Sequence, residues 1–237
     1  MNKAVVLMSG GLDSTTVLAY AQSQGYDVVG LSFDYGQRHK IEMISSEKIA
    51  NYFRIQRKVF KIDLKQIGGS ALTSEINVEK GKLDRNEIPN TYVPGRNIIF
   101  LTIAGAYADI LKAETVMIGV NSVDYSGYPD CRPEFIESME KALNLGLAGS
   151  YRCKLNLVAP LQRLGKGEIV KMGIKLKAPY SLTYSCYNGN ERSCGKCDSC
   201  LLRLRGFMEA NEIDPIEYSE YPDFYSEYIK SRNSTNG

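Results

Sequence analysis

The chain has 237 residues, 43% of them hydrophobic, enough for one large domain with a real core, and 29 basic against 27 acidic residues leave a net charge of +2. So balanced a charge argues against direct nucleic-acid binding, and the run of five apolar residues immediately before Ser9 is too short for a signal-peptide core or a membrane span. Six cysteines without a secretory signal indicate a reducing, cytoplasmic setting, in which grouped thiols hold metal more often than they form disulfides.

The apolar stretch Ala4-Val5-Val6-Leu7-Met8 reads as a buried first strand, and Ser9-Gly10-Gly11-Leu12-Asp13-Ser14 follows it as a tight turn into a helix. Adjacent glycines let backbone approach an anion, and a helix N-terminus points amide groups at the bound charge. Neither a GxxxxGK[ST] phosphate loop nor a GxGxxG fingerprint occurs. The S-G-G-x-D-S form instead resembles the pyrophosphate loop of enzymes that cleave ATP at its α-phosphate. On this reading Met8, Ser9, Gly10, Gly11, Leu12, Asp13, Ser14, Thr15, Thr16, Val17 and Leu18 line the nucleotide as one contiguous turn, with Ser14 also able to cap the helix.

Further along, a helix over 14–24 ends at Gly25, and residues 27–33 read as a second strand. A helix over 41–53 leads to an alternating strand over 57–62, and the polar stretch 70–94 reads as a long excursion near a site. Residues 98–111 are apolar on nearly all faces and predict a buried helix; residues 115–120 predict a strand covered on both sides. A helix over 133–147, a strand over 154–158 and a helix over 166–176 complete the alternation. Five strands alternating with helices predict an α/β fold, a five-stranded parallel sheet with helices on both faces, whose ligand lies beyond the carboxyl ends of the strands. The Ser9 turn sits at such an end, as do the loops 34–39 and 121–132, so the three can converge on one cleft.

Cys186, Cys194, Cys197 and Cys200 form C-x7-C-x2-C-x2-C. Four thiolates close a tetrahedral zinc site with no open position, hence a structural one, and the single histidine, His39, lies far from them in sequence, which argues against a mixed Cys/His ligand set. An iron–sulfur cluster is the rival, but no Cys-Pro follows Cys200 and the fourth cysteine lies upstream. Cys153 reads as a small hydrophobe buried on a strand. The resulting division is an ATP-binding α/β domain over 1–180, a four-cysteine zinc-binding segment with a helix over 181–214, and a Tyr-rich tail over 215–237 that wraps and then frays. Tyr218, Tyr221, Tyr225 and Tyr228 pack within the chain or, as the alternative, form the contact of a homodimer.

Four more segments carry a resemblance: Tyr35-Gly36-Gln37-Arg38-His39, Val93-Pro94-Gly95-Arg96-Asn97, Ser126-Gly127-Tyr128-Pro129-Asp130-Cys131-Arg132 and Ser185-Cys186-Tyr187-Asn188. Taken in order from Lys3 to about Asp214, the set resembles the 7-cyano-7-deazaguanine synthase family of the queuosine pathway. Leu12 stands where many relatives carry Gln, and the spacer between Cys186 and Cys194 is the chain's own. The resemblance implies an adenine nucleotide α-hydrolase-like, Rossmann-like fold and an ATP-dependent carbon–nitrogen ligase. Its substrates would be 7-carboxy-7-deazaguanine, ammonia and ATP, with Mg²⁺ and one structural Zn²⁺.

Within that reading Asp13 orients Mg²⁺, and Arg96 steers a carboxylate or phosphate by bidentate hydrogen bonding. Lys166, a cation at a helix start, suits a bound phosphate. Asp124, Asp130, Cys131 and Arg132 face the deazapurine, and Cys131 as a covalent nucleophile is the weaker reading because no activating base is evident beside it. Other readings are a tRNA-modifying pyrophosphate-loop enzyme, another amide-forming ligase, and a zinc-dependent nucleotide-binding module.

Overall fold

The computed structural model describes residues 2–37, 40–74, 76–77, 88–123, 128–189 and 191–235. Five strands, β1 (Lys3–Leu7), β2 (Asp27–Asp34), β3 (Gln56–Lys61), β4 (Thr115–Met117) and β5 (Asn156–Val158), form one sheet in the order β3-β2-β1-β4-β5. Every pairing is parallel. The chain builds outward from β1 to β3, then returns to place β4 on the other flank of β1, so the order reverses between β1 and β4. That reversal opens a crevice beyond the carboxyl ends of both strands.

Side chains on a strand alternate between faces, and β1 shows the consequence. Val5 and Leu7 enter a core with Leu31, Leu101, Val116 and Leu143, under α3 (Arg96–Leu111) and α4 (Pro133–Gly146). Ala4 and Val6 enter a second core with Leu18, Ile49, Ile169 and Phe207, under α1 (Leu12–Ser23), α2 (Ile41–Phe53), α5 (Lys166–Lys175) and α6 (Asp198–Glu209). A sheet buried on both faces explains the unbroken apolar run of the first strand.

Two sequence expectations are corrected here. Helix α3 is not buried all round: Asn97, Leu101, Ala104, Gly105 and Ala108 face inward, whereas Ile98 and Ile110 are 47% and 79% exposed. Its burial is directional because α4 covers one side only, with Leu143 seated where a side chain on Gly105 would have to go. Cys153 is exposed in the turn ahead of β5 rather than buried on the strand, which begins three residues later. Part of the polar stretch predicted over 70–94 lies outside the described residues.

The Tyr-rich tail forms a seventh helix, α7 (Asp223–Thr235), and turns aromatic side chains inward. Tyr225 is fully buried and Tyr218 nearly so, in the same core as the four clustered cysteines and α1. The buried pair Arg203–Asp214 organises this region. Arg203 Nε and Nη2 donate to the two Asp214 carboxylate oxygens at 2.6 and 2.8 Å, and Nη1 donates to Thr183 Oγ1 at 2.6 Å. Tyr218 OH donates to Asp214 Oδ2 at 2.6 Å, and the Asp214 amide donates to Tyr225 OH at 2.8 Å. Breaking a buried pair of this kind costs about 3–5 kcal/mol, because the remaining charge has no water to replace its partner. The intramolecular account of the tyrosines therefore holds for Tyr218 and Tyr225. No helix among the described residues is long and apolar enough to cross a membrane.

Candidate active site

The crevice predicted by strand order is a cavity of about 320 Å³ at the carboxyl edge of the sheet. Its first wall is the turn after β1. Ser9 donates its amide to Ser14 Oγ at 3.2 Å, Ser14 Oγ donates to the Gly11 carbonyl at 3.1 Å, and the Gly11 amide donates to Ser9 Oγ at 3.3 Å. These bonds tighten the loop against the first turn of α1. Gly119, just beyond β4, lets that turn sit close: a Cβ there would lie 3.2 Å from the Asp13 and Ser14 backbone.

Met8, Ser9, Gly11, Leu12, Asp13 and Ser14 line the cavity, whereas the contiguous lining does not extend to Leu18. Thr15 Oγ1 donates to the Gly11 carbonyl, Thr16 Oγ1 donates to the Leu12 carbonyl and hydrogen-bonds Tyr180 OH, and Val17 and Leu18 are completely buried. A helix turns about 100° per residue, so the second turn points into the core. Gly10 lies outside the lining as well. Its φ of +94° and its contact with α2, where a Cβ would lie 2.4 Å from the Glu42 carbonyl oxygen, give this glycine a packing role.

Lys166, first residue of α5, reaches Asp13 across the cavity wall, with Nζ 2.9 Å from both carboxylate oxygens. The cation placed awkwardly at a helix start thus has a carboxylate partner, 153 residues away in the chain. Gly206 on α6 makes room for it, since a Cβ there would meet Lys166 Cγ at 2.3 Å.

The opposite wall is built on the start of α3. Gly95, at φ +68°, turns the chain so that Arg96 opens the helix and lines the cavity. The loop before α4 is clamped beside it: the Asn97 amide donates to the Asp130 carboxylate at 3.2 Å, Asn97 Nδ2 donates to the Asp130 carbonyl at 3.1 Å, and Gln162 Nε2 donates to the Cys131 carbonyl at 3.1 Å. Asp130 is therefore a buried cap for α3 and does not line the cavity, contrary to the substrate-contact expectation. Arg132 is exposed at the N-cap of α4 and also falls outside the lining, because the turn at 129–131 carries it outward. Asp124, Arg38 and His39 lie outside the described residues.

Burial works against the Arg96 charge, but Tyr35, Asp130, Tyr128 and Cys131 around it more than compensate, and the guanidinium is held firmly protonated. Cys131 does line the cavity. Burial first and Asp130 second push its thiol up to about 12, against the opposing pull of Arg96, so it is a neutral thiol at neutral pH. A thiol is a poor nucleophile. Cys131→Ser is expected to keep kcat within about threefold of wild type, measured by steady-state product formation; loss of all turnover would restore the nucleophile reading.

Several lining residues were not singled out from the sequence. Phe33 and Phe100 stack at 4.0 Å with planes 4° apart, forming an aromatic wall with Tyr35. Glu42, near the start of α2, also opens onto the cavity and makes no side-chain hydrogen bond among the described residues. Burial raises its carboxyl to about 7, with Arg96 pulling it down and Cys186 adding to the rise. A strand-exit loop running into a helix start was the available signal, since side chains there face the crevice.

At one side of the cavity lie the clustered cysteines. The Sγ atoms of Cys186, Cys194, Cys197 and Cys200 all fall within 4.8 Å of one another and all four residues are buried. Cys194 and Cys197 Sγ stand 4.0 and 3.5 Å from Cys200 Sγ, close to the roughly 3.8 Å expected between thiolates bound tetrahedrally at about 2.3 Å from zinc. Amides of Asn188 and Cys194 point at Cys186 Sγ, and those of Lys196 and Cys197 at Cys194 Sγ, at 3.3–3.4 Å. Such donors stabilise thiolates, and this donor set fits a closed metal site.

The model of the queuosine biosynthesis protein QueC family matches residues 3–211. The chain is similar to curated proteins named 7-cyano-7-deazaguanine synthase. It is 58% identical to that of Picrophilus torridus over 98% of both chains. It is 57% identical to that of Thermoplasma acidophilum, over 97% of this chain and 98% of the relative, and 50% identical to that of Pseudomonas fluorescens, over 91% and 98%. With the crevice, the loop after β1 and the cysteine cluster all lying within the matched span, the chain belongs to the queuosine biosynthesis protein QueC family.

Proposed function

We propose that the chain uses ATP to convert 7-carboxy-7-deazaguanine and ammonia into 7-cyano-7-deazaguanine. The observation that carries this reading is that one cavity joins the Ser9–Ser14 loop and the Asp13–Lys166 pair to an Arg96 on the facing wall that no described carboxylate pairs. One side suits a polyphosphate and the other an organic carboxylate. A carboxylate resists amines because its oxygen is a poor leaving group. Attack of that oxygen on the α-phosphorus of ATP expels pyrophosphate and leaves a mixed anhydride. Ammonia then adds to the carbonyl carbon, the C–O bond to AMP breaks, and loss of protons gives the amide. The amide oxygen attacks a second ATP in the same way; cleavage of its C–O bond with loss of the N–H protons yields the nitrile. Both carboxylate oxygens thus leave on AMP.

The residues of this chain serve those steps by position and charge. Lys166 places its ammonium beside the loop where negative charge grows on the departing pyrophosphate, and Arg96 holds the acid for attack. Asp13 is the carboxylate at the phosphate side that would hold Mg²⁺, which when bound neutralises charge on the β and γ phosphates. Cys186, Cys194, Cys197 and Cys200 would hold one structural Zn²⁺.

Single-turnover reactions with nucleotide and nitrile counted together are expected to give two AMP per nitrile, and acid labelled with ¹⁸O in its carboxylate should deliver one label to each AMP. One nucleotide per nitrile would rule out the double activation.

A further inference from the structure

Two ionisable side chains, Arg96 and Glu42, face the cavity without pairing with each other. Arg96 has no carboxylate within ion-pair distance among the described residues, and Glu42, on a different helix, has neither a cation at that distance nor a side-chain hydrogen bond among them. Asp13, the only other carboxylate among the described lining residues, is already bonded through both oxygens to Lys166. Glu42 is half-buried, so a ligand that shuts water out of the cavity must either bring donors to its carboxylate or bear the cost of leaving it unpaired.

The chemistry of the two bases that must enter separates them. Adenine offers a donor, its 6-amino group, beside an acceptor, N1. A carboxylate, which only accepts, meets that edge with one repulsive contact. A guanine-type ring offers N1–H and the 2-amino group side by side, two parallel donors matching two carboxylate oxygens. In 7-carboxy-7-deazaguanine this edge lies across the ring system from the carboxylate. The ligand is therefore anionic at one end and a double donor at the other, and the cavity supplies Arg96 for one and Glu42 for the other, with aromatic side chains in the same lining.

Resting on the reading under Proposed function, we infer that Glu42 is the specificity residue that reads the N1–H and 2-amino donors of the deazaguanine ring.

The test compares 7-carboxy-7-deazaguanine with its analogue lacking the 2-amino group, 7-carboxy-7-deazahypoxanthine, on the full-length zinc-loaded chain. Wild type is expected to favour the first by about 100-fold or more in kcat/KM, because the analogue, once seated, leaves one Glu42 carboxylate oxygen without a donor. Glu42→Gln, of the same shape, is expected to reduce that preference to within about tenfold, chiefly through a higher KM for the amino-bearing acid. If the variant turns over too slowly, equilibrium dialysis of both acids reads the same preference, with zinc content and thermal transition compared to exclude misfolding. An unchanged preference in Glu42→Gln, or an effect confined to the KM for ammonium, overturns the role of Glu42 while nitrile formation by wild type stands. A wild-type chain that makes no nitrile from the acid overturns the underlying reading, and this inference with it.

Discussion

Replacing Cys197 by Ser is expected to give a chain that carries less than about a tenth of an equivalent of zinc and loses its cooperative thermal transition. Zinc binding in small thiolate sites is worth about 10–16 kcal/mol, and whole-domain stability is about 5–15 kcal/mol. Loss of the first removes most or all of the second wherever metal and core are coupled. Here they are coupled: the four cysteines lie in one core with Leu18, Leu204, Phe207 and Tyr225, and Cys197 also stands at the N-cap of α6, which carries Arg203. Gly195 has a φ of +75° and is pressed against the Glu220 carbonyl, so the tail is laid directly over the cysteine loop. Elemental analysis, circular dichroism on heating and limited proteolysis after residue 183 check the expectation. Wild type should contain one zinc per chain and neither iron nor labile sulfide. A metal-free variant with an unaltered transition would show that the cluster is not structural.

Lys166→Met is expected to lower kcat for ATP-dependent nitrile formation by about 10²–10³-fold, in the range found when a donor aimed at developing charge is removed. The stability cost should be modest, about 1 kcal/mol, because Asp13 stays 31% exposed and water can replace its partner. Asp13→Asn is expected to slow the reaction comparably. The double variant should be little worse than either single one, since residues acting as a unit are strongly non-additive. Rapid-quench measurement of pyrophosphate release, beside thermal unfolding of each variant, checks both expectations. Full activity in Lys166→Met would remove the ion pair from the mechanism, and additive losses would mean that the two side chains act separately.

Helix and strand order was legible from local pattern because burial on both faces writes itself into a chain as apolar runs: Ala4–Met8 for β1, and a helix over Ile41–Phe53 matching α2. The last helix escaped because the stretch from Asp223 onward mixes acid, Ser and Tyr without a clear apolar stripe. Helix α7 is set instead by Tyr225 packing against Phe224, Tyr221 and Tyr228 and by the hydrogen bond it accepts from the Asp214 amide, contacts that only the folded chain makes. The outward turn of Arg132 and the capping role of Asp130 were hidden for a similar reason. Adjacent residues in a tight turn point different ways, and residue type does not say which.

What the sequence determined by itself was periodic or contiguous: the parallel α/β sheet, the Ser9–Ser14 turn at a strand end, and four cysteines spaced for one metal. Each follows from local geometry, the twofold repeat of a strand, the 3.6-residue turn of a helix or the reach of a short loop. The tertiary structure alone decided which distant groups meet, pairing Asp13 with Lys166, burying Arg203 on Asp214, and setting Glu42 and Arg96 on one cavity without joining them. Those outcomes depend on how helices pack across the sheet, and that packing is a property of the whole core.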